Sequence, residues 1–231
     1  MMRATAPRFP PVALFDLDGT LLDSAPDMLA TANRILAARG RPPVVLGMLR
    51  QHVSKGARAM IGACFPELDE AAREAMVPEF LGVYREELGR HSLPFDGIEA
   101  MLRALEDGGA RWGIVTNKPE YLAREVVAGL GWQSRCAVLV GGDTYAEKKP
   151  HPLPLLEAAR TLGADPGACV YVGDDERDVV AARGAGMPSI AVLWGYRLDD
   201  EQPAAWHADA MADAPRDLLD PARWPGVAAA G

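Results

Sequence analysis

After two prolines the chain enters a short apolar run, Val12–Phe15, with the length and character of a buried strand. The next stretch of that kind is Trp112–Thr116. Between them the spacing of apolar positions is helical. Ser24 stands where an N-cap would, with Pro26 in the first turn behind it, and predicts a helix running to Gly40. Further helices are predicted at Val44–Val53, Gly56–Phe65 and Asp69–Gly89. The last should kink or split at Pro78, because proline removes one helical hydrogen bond and its ring crowds the preceding turn.

From Gly97 the pattern alternates. A helix at Ile98–Glu106 leads to strand Trp112–Thr116 and a helix after Pro119. Strand Ala137–Val140, helix Leu153–Leu162, strand Cys169–Val172, helix Glu176–Ala185 and strand Ser189–Leu193 complete the series. Strands alternating with helices of this length build βαβ units around a parallel sheet. The expected architecture is therefore an α/β core interrupted, after its first strand, by a helical insert. The segment from Asp199, rich in Pro, Ala and Asp, predicts a loop and short helix, with a loose terminus beyond Trp224.

In open parallel sheets, ligands bind beyond the carboxyl ends of the strands. Four of the predicted strands end in polar groups. The first leads into Asp16-Leu17-Asp18-Gly19-Thr20. Residues two apart in an extended chain point the same way, so Asp16 and Asp18 face one site. Two neighbouring carboxylates repel unless a cation or a shared proton intervenes, and hard oxygen donors suit Mg²⁺. Asp16 can then serve as nucleophile, and Asp18 as general acid and base.

The second strand end carries Thr116-Asn117, which suits phosphate oxygens but also an ordinary helix start before Pro119. The third is Lys148-Lys149-Pro150, either a fixed ammonium that offsets charge on Asp16 and a phosphate, or a solvated basic turn. The fourth, Asp174-Asp175-Glu176-Arg177-Asp178, holds more acid than helix capping explains. Asp174 is the candidate metal ligand, with Asp178 beside or behind it.

Composition narrows the class. Of the 231 residues 49% are hydrophobic and 24% charged, the balance of a globular protein with a sizeable core. A formal net charge of −8 argues against a general nucleic-acid or acidic-membrane surface, so any positive field must be local. Cys64, Cys136 and Cys169 have no metal-binding spacing and read as packing residues. The apolar stretch at Val12–Phe15 is too short for a signal-peptide core, and no run is long enough to span a membrane. Cytoplasmic location is the expectation.

Taken in order, DLDGT, IVTNK, KKPHP and VGDDERD resemble the haloacid dehalogenase superfamily of aspartate-nucleophile phosphatases, over Val12 to about Leu219. The resemblance implies a Rossmann-like parallel sheet core, residues 1–22 and 95–231, with an all-α helical cap over residues 23–94. It implies Asp16 as nucleophile and Mg²⁺ ligand, and Asp18 as acid/base that also binds Mg²⁺ through its backbone carbonyl. Thr116 and Asn117 would hold phosphate, Lys149 would neutralise charge, and Asp174 would complete the metal site. Within the superfamily the sequence is most similar to phosphoglycolate phosphatases. LLDSAPD, SKGARAM, GIVTNKP and LWGY also resemble N-acetylmuramic acid 6-phosphate phosphatases. The partner is then a small phosphorylated metabolite, handled by a monomer or homodimer.

In the insert, Gly56 allows a tight turn, and Lys55 or Arg58 could meet a substrate carboxylate or sugar; a helix start with solvated basic residues fits equally. Trp194-Gly195-Tyr196 suits packing better than a sugar platform. A phosphosugar mutase needs the same four motifs. A non-catalytic phosphoacceptor domain would place its acidic pair and accepting aspartate on different strands, whereas Asp16 and Asp18 share one.

Overall fold

The structure is a computed structural model that describes residues 8–226; expectations about residues 1–7 and 227–231 lie outside it. In chain order it contains β1 (Val12–Phe15), β2 (Leu22–Asp23), α1 (Ala25–Ala37), α2 (Leu46–Arg50), α3 (Ala57–Cys64), α4 (Glu70–Glu87) and β3 (Leu93–Pro94). The alternating half follows as α5 (Ile98–Asp107), β4 (Arg111–Val115), α6 (Glu120–Gly129), β5 (Cys136–Val140), α7 (Leu153–Thr161), β6 (Cys169–Gly173), α8 (Glu176–Ala185), β7 (Ser189–Val192) and β8 (Ala210–Ala212).

Six strands form one parallel sheet in the order β5-β4-β1-β6-β7-β8. β1 lies near the middle and is buried along its whole length, as a strand covered by helices on both faces must be. Its side chains alternate between two cores. Ala13 and Phe15 pack with Trp112, Ile114 and Val172 on one face, while Val12 and Leu14 pack with Val115, Tyr171 and Leu155 on the other. The register aligns Phe15 with Ile114 and Val172. Asp16, Thr116 and Asp174 therefore emerge together at one edge of the sheet.

The insert leaves and rejoins this edge through a two-stranded antiparallel ribbon, Leu22 opposite Pro94 and Asp23 opposite Leu93. Buried Asp27, in the first turn of α1, reinforces the join: it accepts from the Gly89 and His91 amides, both at 2.7 Å, and from the Ser92 hydroxyl. The four insert helices enclose their own apolar cluster, including Ile35, Leu49, Ile61 and Phe80, and the cluster continues into Leu122 and Tyr196.

Several expectations are corrected. Pro78 neither ends nor splits α4, which runs unbroken from Glu70 to Glu87. Pro78 and Glu74 are both exposed, so the carbonyl it leaves without a helical donor can bond to water. Ser24 occupies the N-cap position of α1, but its hydroxyl does not cap; it is buried without a partner. The tail is more ordered than a loop and short helix. Three 3₁₀ turns, Pro203–Trp206, Pro215–Leu219 and Pro221–Arg223, each open on a proline, and β8 extends the sheet. Trp224 packs edge-on against Phe9 and Phe15, with ring centroids 6.1 and 6.4 Å away.

Candidate active site

The loop after β1 brings Asp16 to the sheet edge, where its backbone amide bonds to Val172 O at 2.9 Å. Gly19 follows with φ +89°, and a Cβ there would lie 2.2 Å from Asp174 Oδ2. Only glycine allows this turn to fold so close to the acidic end of β6. Asp16, Asp174 and Asp178 each present a carboxylate oxygen within 4.8 Å of the others, and all three are buried.

Such a cluster is costly without positive charge. Lys149 supplies some: its Nζ lies 2.7 Å from Asp178 Oδ1, 3.0 Å from Asp16 Oδ1 and 2.7 Å from the Tyr171 hydroxyl. Burial pulls the Lys149 pKa down, but Asp16 and Asp178 more than offset this and hold it above its usual value. Burial pushes Asp178 up to about 6, against the pull of Lys149. Burial also drives Asp174 well above the usual carboxylate range, and Asp16 and Asp178 act in the same direction.

The donor set fits a hard divalent cation. Asp16 Oδ1 is buried and has no aligned hydrogen-bond donor, although Lys149 is close enough for an ion pair. Four carboxylates, those of Asp16, Asp18, Asp174 and Asp178, face the two buried ammonium groups of Lys118 and Lys149. The formal shortfall of two positive charges matches one divalent ion. Asp174 is aimed by Thr20 Oγ1 at 3.2 Å, by Ser54 Oγ at 2.8 Å and by the Tyr196 amide at 2.8 Å. Tyr196 is itself buried, its hydroxyl donating to Asp23 at 2.6 Å, so this aromatic is a scaffold and not a sugar platform.

The carboxylate of Asp18 stands outside the cluster. Both its oxygens lie 3.0 Å from Lys118 Nζ, a residue that motif reasoning did not single out. Thr116 is buried at the end of β4 and its Oγ1 accepts from the Lys118 amide at 3.3 Å. The Asn117 side chain is committed elsewhere than expected: Nδ2 donates to Lys149 O at 2.9 Å and Oδ1 accepts from Lys149 N at 3.0 Å. In this arrangement its amide group positions Lys149 and is not presented to a phosphate.

A cavity of about 740 Å³ opens over these residues, with Asp16, Asp18, Thr116 and Lys149 on its floor and Met60, Phe80 and other insert side chains above. Gly56, with φ +88°, makes the turn into α3 that brings Ser54 and Lys55 down to the sheet edge. Lys55, expected to meet substrate, is held by Asp175 at 2.7 Å and Glu201 at 2.5 Å. Arg177 adds a bond to the Ser54 carbonyl. Arg58 is more exposed and looser, 3.3 Å from Glu70 and 3.7 Å from Glu74 at the cavity wall. Of the two expected cations, the geometry leaves Arg58 available and ties Lys55 to the core.

The family model described as haloacid dehalogenase-like hydrolase matches residues 13–192. The chain belongs to this family. It is 62% identical over 218 residues to a phosphoglycolate phosphatase of Xanthomonas campestris pv. campestris (strain 8004), an alignment covering 94% of this chain and 99% of that one. It is 45% identical over 208 residues to an N-acetylmuramic acid 6-phosphate phosphatase of Pseudomonas aeruginosa, covering 90% and 92%. Among solved structures, that of a predicted phosphoglycolate phosphatase from Haemophilus somnus 129pt superimposes with a TM-score of 0.80 at 26% identity, covering 90% of this chain and 96% of that one. This hydrolase shares the Rossmann-like parallel sheet of its relatives. Among the described residues no helix is long and apolar enough to cross a membrane.

Proposed function

We propose that this chain is a phosphomonoesterase that uses Asp16 as nucleophile and phosphoglycolate as its substrate. The observation that carries the reading is the buried Asp16 carboxylate, whose Oδ1 has no aligned donor and which lies on the floor of the cavity. Asp16 attacks phosphorus, and the bond to the leaving oxygen breaks as Asp18 gives that oxygen a proton. Asp18 then takes a proton from water, which attacks the phosphoaspartate and restores Asp16 with release of phosphate.

Lys149 holds positive charge beside Asp16 through both steps, and Thr116 offers a hydroxyl to the phosphoryl oxygens. Asp16, Asp174, Asp178 and the Asp18 backbone carbonyl would hold Mg²⁺, which neutralises the phosphoryl oxygens when bound. Residues 23–94 serve as a cap over a core of residues 1–22 and 95–231. Arg58 is the cap cation that meets a substrate carboxylate.

The 62% identity over nearly the whole of both chains supports phosphoglycolate. One observation favours N-acetylmuramic acid 6-phosphate as a second reading: a cavity of about 740 Å³ is roomy for so small a molecule as phosphoglycolate. Phosphate release from both compounds and from p-nitrophenyl phosphate, with Mg²⁺ present, tests the reading. A kcat/KM for phosphoglycolate above the other two is the expected result. Preference for the sugar phosphate would select the second reading, and no turnover of any phosphate ester would overturn both.

A further inference from the structure

Lys118 is a buried ammonium to which the reaction described above gives no task. Its side chain is 3% exposed, yet its Nζ stands at the boundary of the two halves of the molecule. On the core side it lies 3.0 Å from both oxygens of Asp18. On the insert side it donates to the Tyr84 hydroxyl at 2.5 Å and sits 4.4 Å from the centre of that ring. Tyr84 is 1% exposed and lies on α4. The root of the lysine is fixed as well, its carbonyl accepting from Gly142 N at 2.8 Å and its amide bonding to Thr116 Oγ1.

We infer that Lys118 is a positioning residue for Asp18, and that Tyr84 makes its hold depend on the seating of the helical insert. The inference rests on the reading of Asp18 as the acid/base. A carboxylate two residues on from Asp16 has two attractive destinations. It can turn toward the cluster of Asp16, Asp174 and Asp178 and the positive charge held there, or it can turn toward the leaving group. Lys118, facing both Asp18 oxygens at equal distance, supplies the competing attraction that keeps the carboxylate out of the cluster. The Tyr84 hydroxyl and ring face hold the ammonium in place from above. If α4 lifts, the lysine loses that support, and Asp18 is free to turn while the cavity is open to water. Proton transfer is thereby reserved for the closed arrangement.

The roles separate by substrate and by genetic background. Lys118→Met should reduce kcat roughly 10- to 100-fold for an alkyl phosphate, whose leaving group needs a proton, and only a few-fold for p-nitrophenyl phosphate. KM should change less than kcat. Lys118→Arg, which keeps the charge, should recover part of the loss. In the Asp18→Asn background Lys118→Met should cost little more, because both changes disable the same group. Tyr84→Phe keeps the ring and its packing, and should give a smaller loss with the same leaving-group dependence; it serves as the probe if Lys118→Met melts early. If Asp18→Asn leaves both rates unchanged, the acid/base reading falls and this inference with it. If Asp18→Asn is slow but the lysine change multiplies with it, or strikes both substrates equally, Lys118 acts on the phosphate directly and only this inference falls.

Discussion

The three clustered carboxylates should make stability itself depend on pH and on a bound divalent ion. Burial raises Asp178 from 3.8 to about 6 and raises Asp174 as well. A folded-state pKa above the unfolded value means that the folded protein binds more protons across the window between them, so metal-free stability falls as pH rises. The contribution is fully present below about pH 4 and is lost as pH climbs through about 6, with Asp174 extending the loss upward. For Asp178 alone the shift corresponds to about 3 kcal/mol. In a chain of this size that is at most roughly 10 °C in Tm.

A divalent ion bound by the same oxygens offsets the repulsion but must displace protons at low pH. The measurement is thermal melting in EDTA and in Mg²⁺ at about pH 5 and about pH 7.5. The Mg²⁺-induced rise in Tm should be small at the lower pH and reach several degrees at the higher. His52, whose pKa burial lowers, acts in the opposite sense in the metal-free melts. It lies outside the cluster and cancels in the difference. Asp178→Asn should flatten the dependence. A Mg²⁺ shift equal at both pH values, or one untouched by Asp178→Asn, would refute the electrostatic argument.

The remaining expectations concern rate. Asp16→Asn should lose roughly 10³-fold or more in phosphate release, and retention of a tenth of the activity would remove Asp16 as nucleophile. Arg58→Ala should lower kcat/KM for the preferred carboxylated substrate by roughly 10- to 100-fold and spare p-nitrophenyl phosphate; equal losses would make Arg58 part of the scaffold. Lys55→Met, which leaves Asp175 to Arg177 alone and takes the cation from Glu201, should slow both kinds of substrate alike, and a loss confined to carboxylates would restore it as an anchor. Calcium in place of Mg²⁺ should inhibit in a steady-state assay, since its looser coordination disturbs in-line geometry.

Most of the sheet was legible in the sequence because its strands are buried on both faces. Such strands read as short uninterrupted apolar runs, and Val12–Phe15, the Trp112–Val115 part of β4 and Cys169–Gly173 are of that kind. What the pattern missed has another origin. β2 and β3 are two residues each and exist only because Leu22 meets Pro94 and Asp23 meets Leu93 across the join. β8 is Ala-Met-Ala inside an Ala-, Asp- and Pro-rich tail, and only its pairing with β7 makes it a strand. Non-local pairing leaves no periodicity to detect in segments so short. Pro78 shows the reverse case, where the local rule is sound but an exposed position makes it cheap to break.

The site divides along the same line. Asp16, Asp18, Thr116, Lys149, Asp174 and Asp178 are candidates on sequence alone because each lies near a predicted strand end, in its exit loop or in the first turn of the helix that follows, and a parallel sheet gathers such ends at one edge. Side-chain destinations across the two halves of the molecule could not be read in that way. Lys55 is a candidate for meeting substrate because Gly56 beside it allows a tight turn, with a solvated helix start as the equal alternative, but its partners Asp175 and Glu201 are 120 and 146 residues away. Lys118, directly after Thr116-Asn117, carries no such mark by itself, since a lysine near a helix start is ordinarily solvated. A signal was nonetheless present. The second, third and fourth strand ends were expected to supply only Lys149 against the acids at the first and fourth. That leaves Asp18 without a cation of its own while Asp16 and Asp178 share one. Charge balance at the strand ends therefore asks for a second buried cation near Asp18, and Lys118 is the basic residue that the second strand end offers.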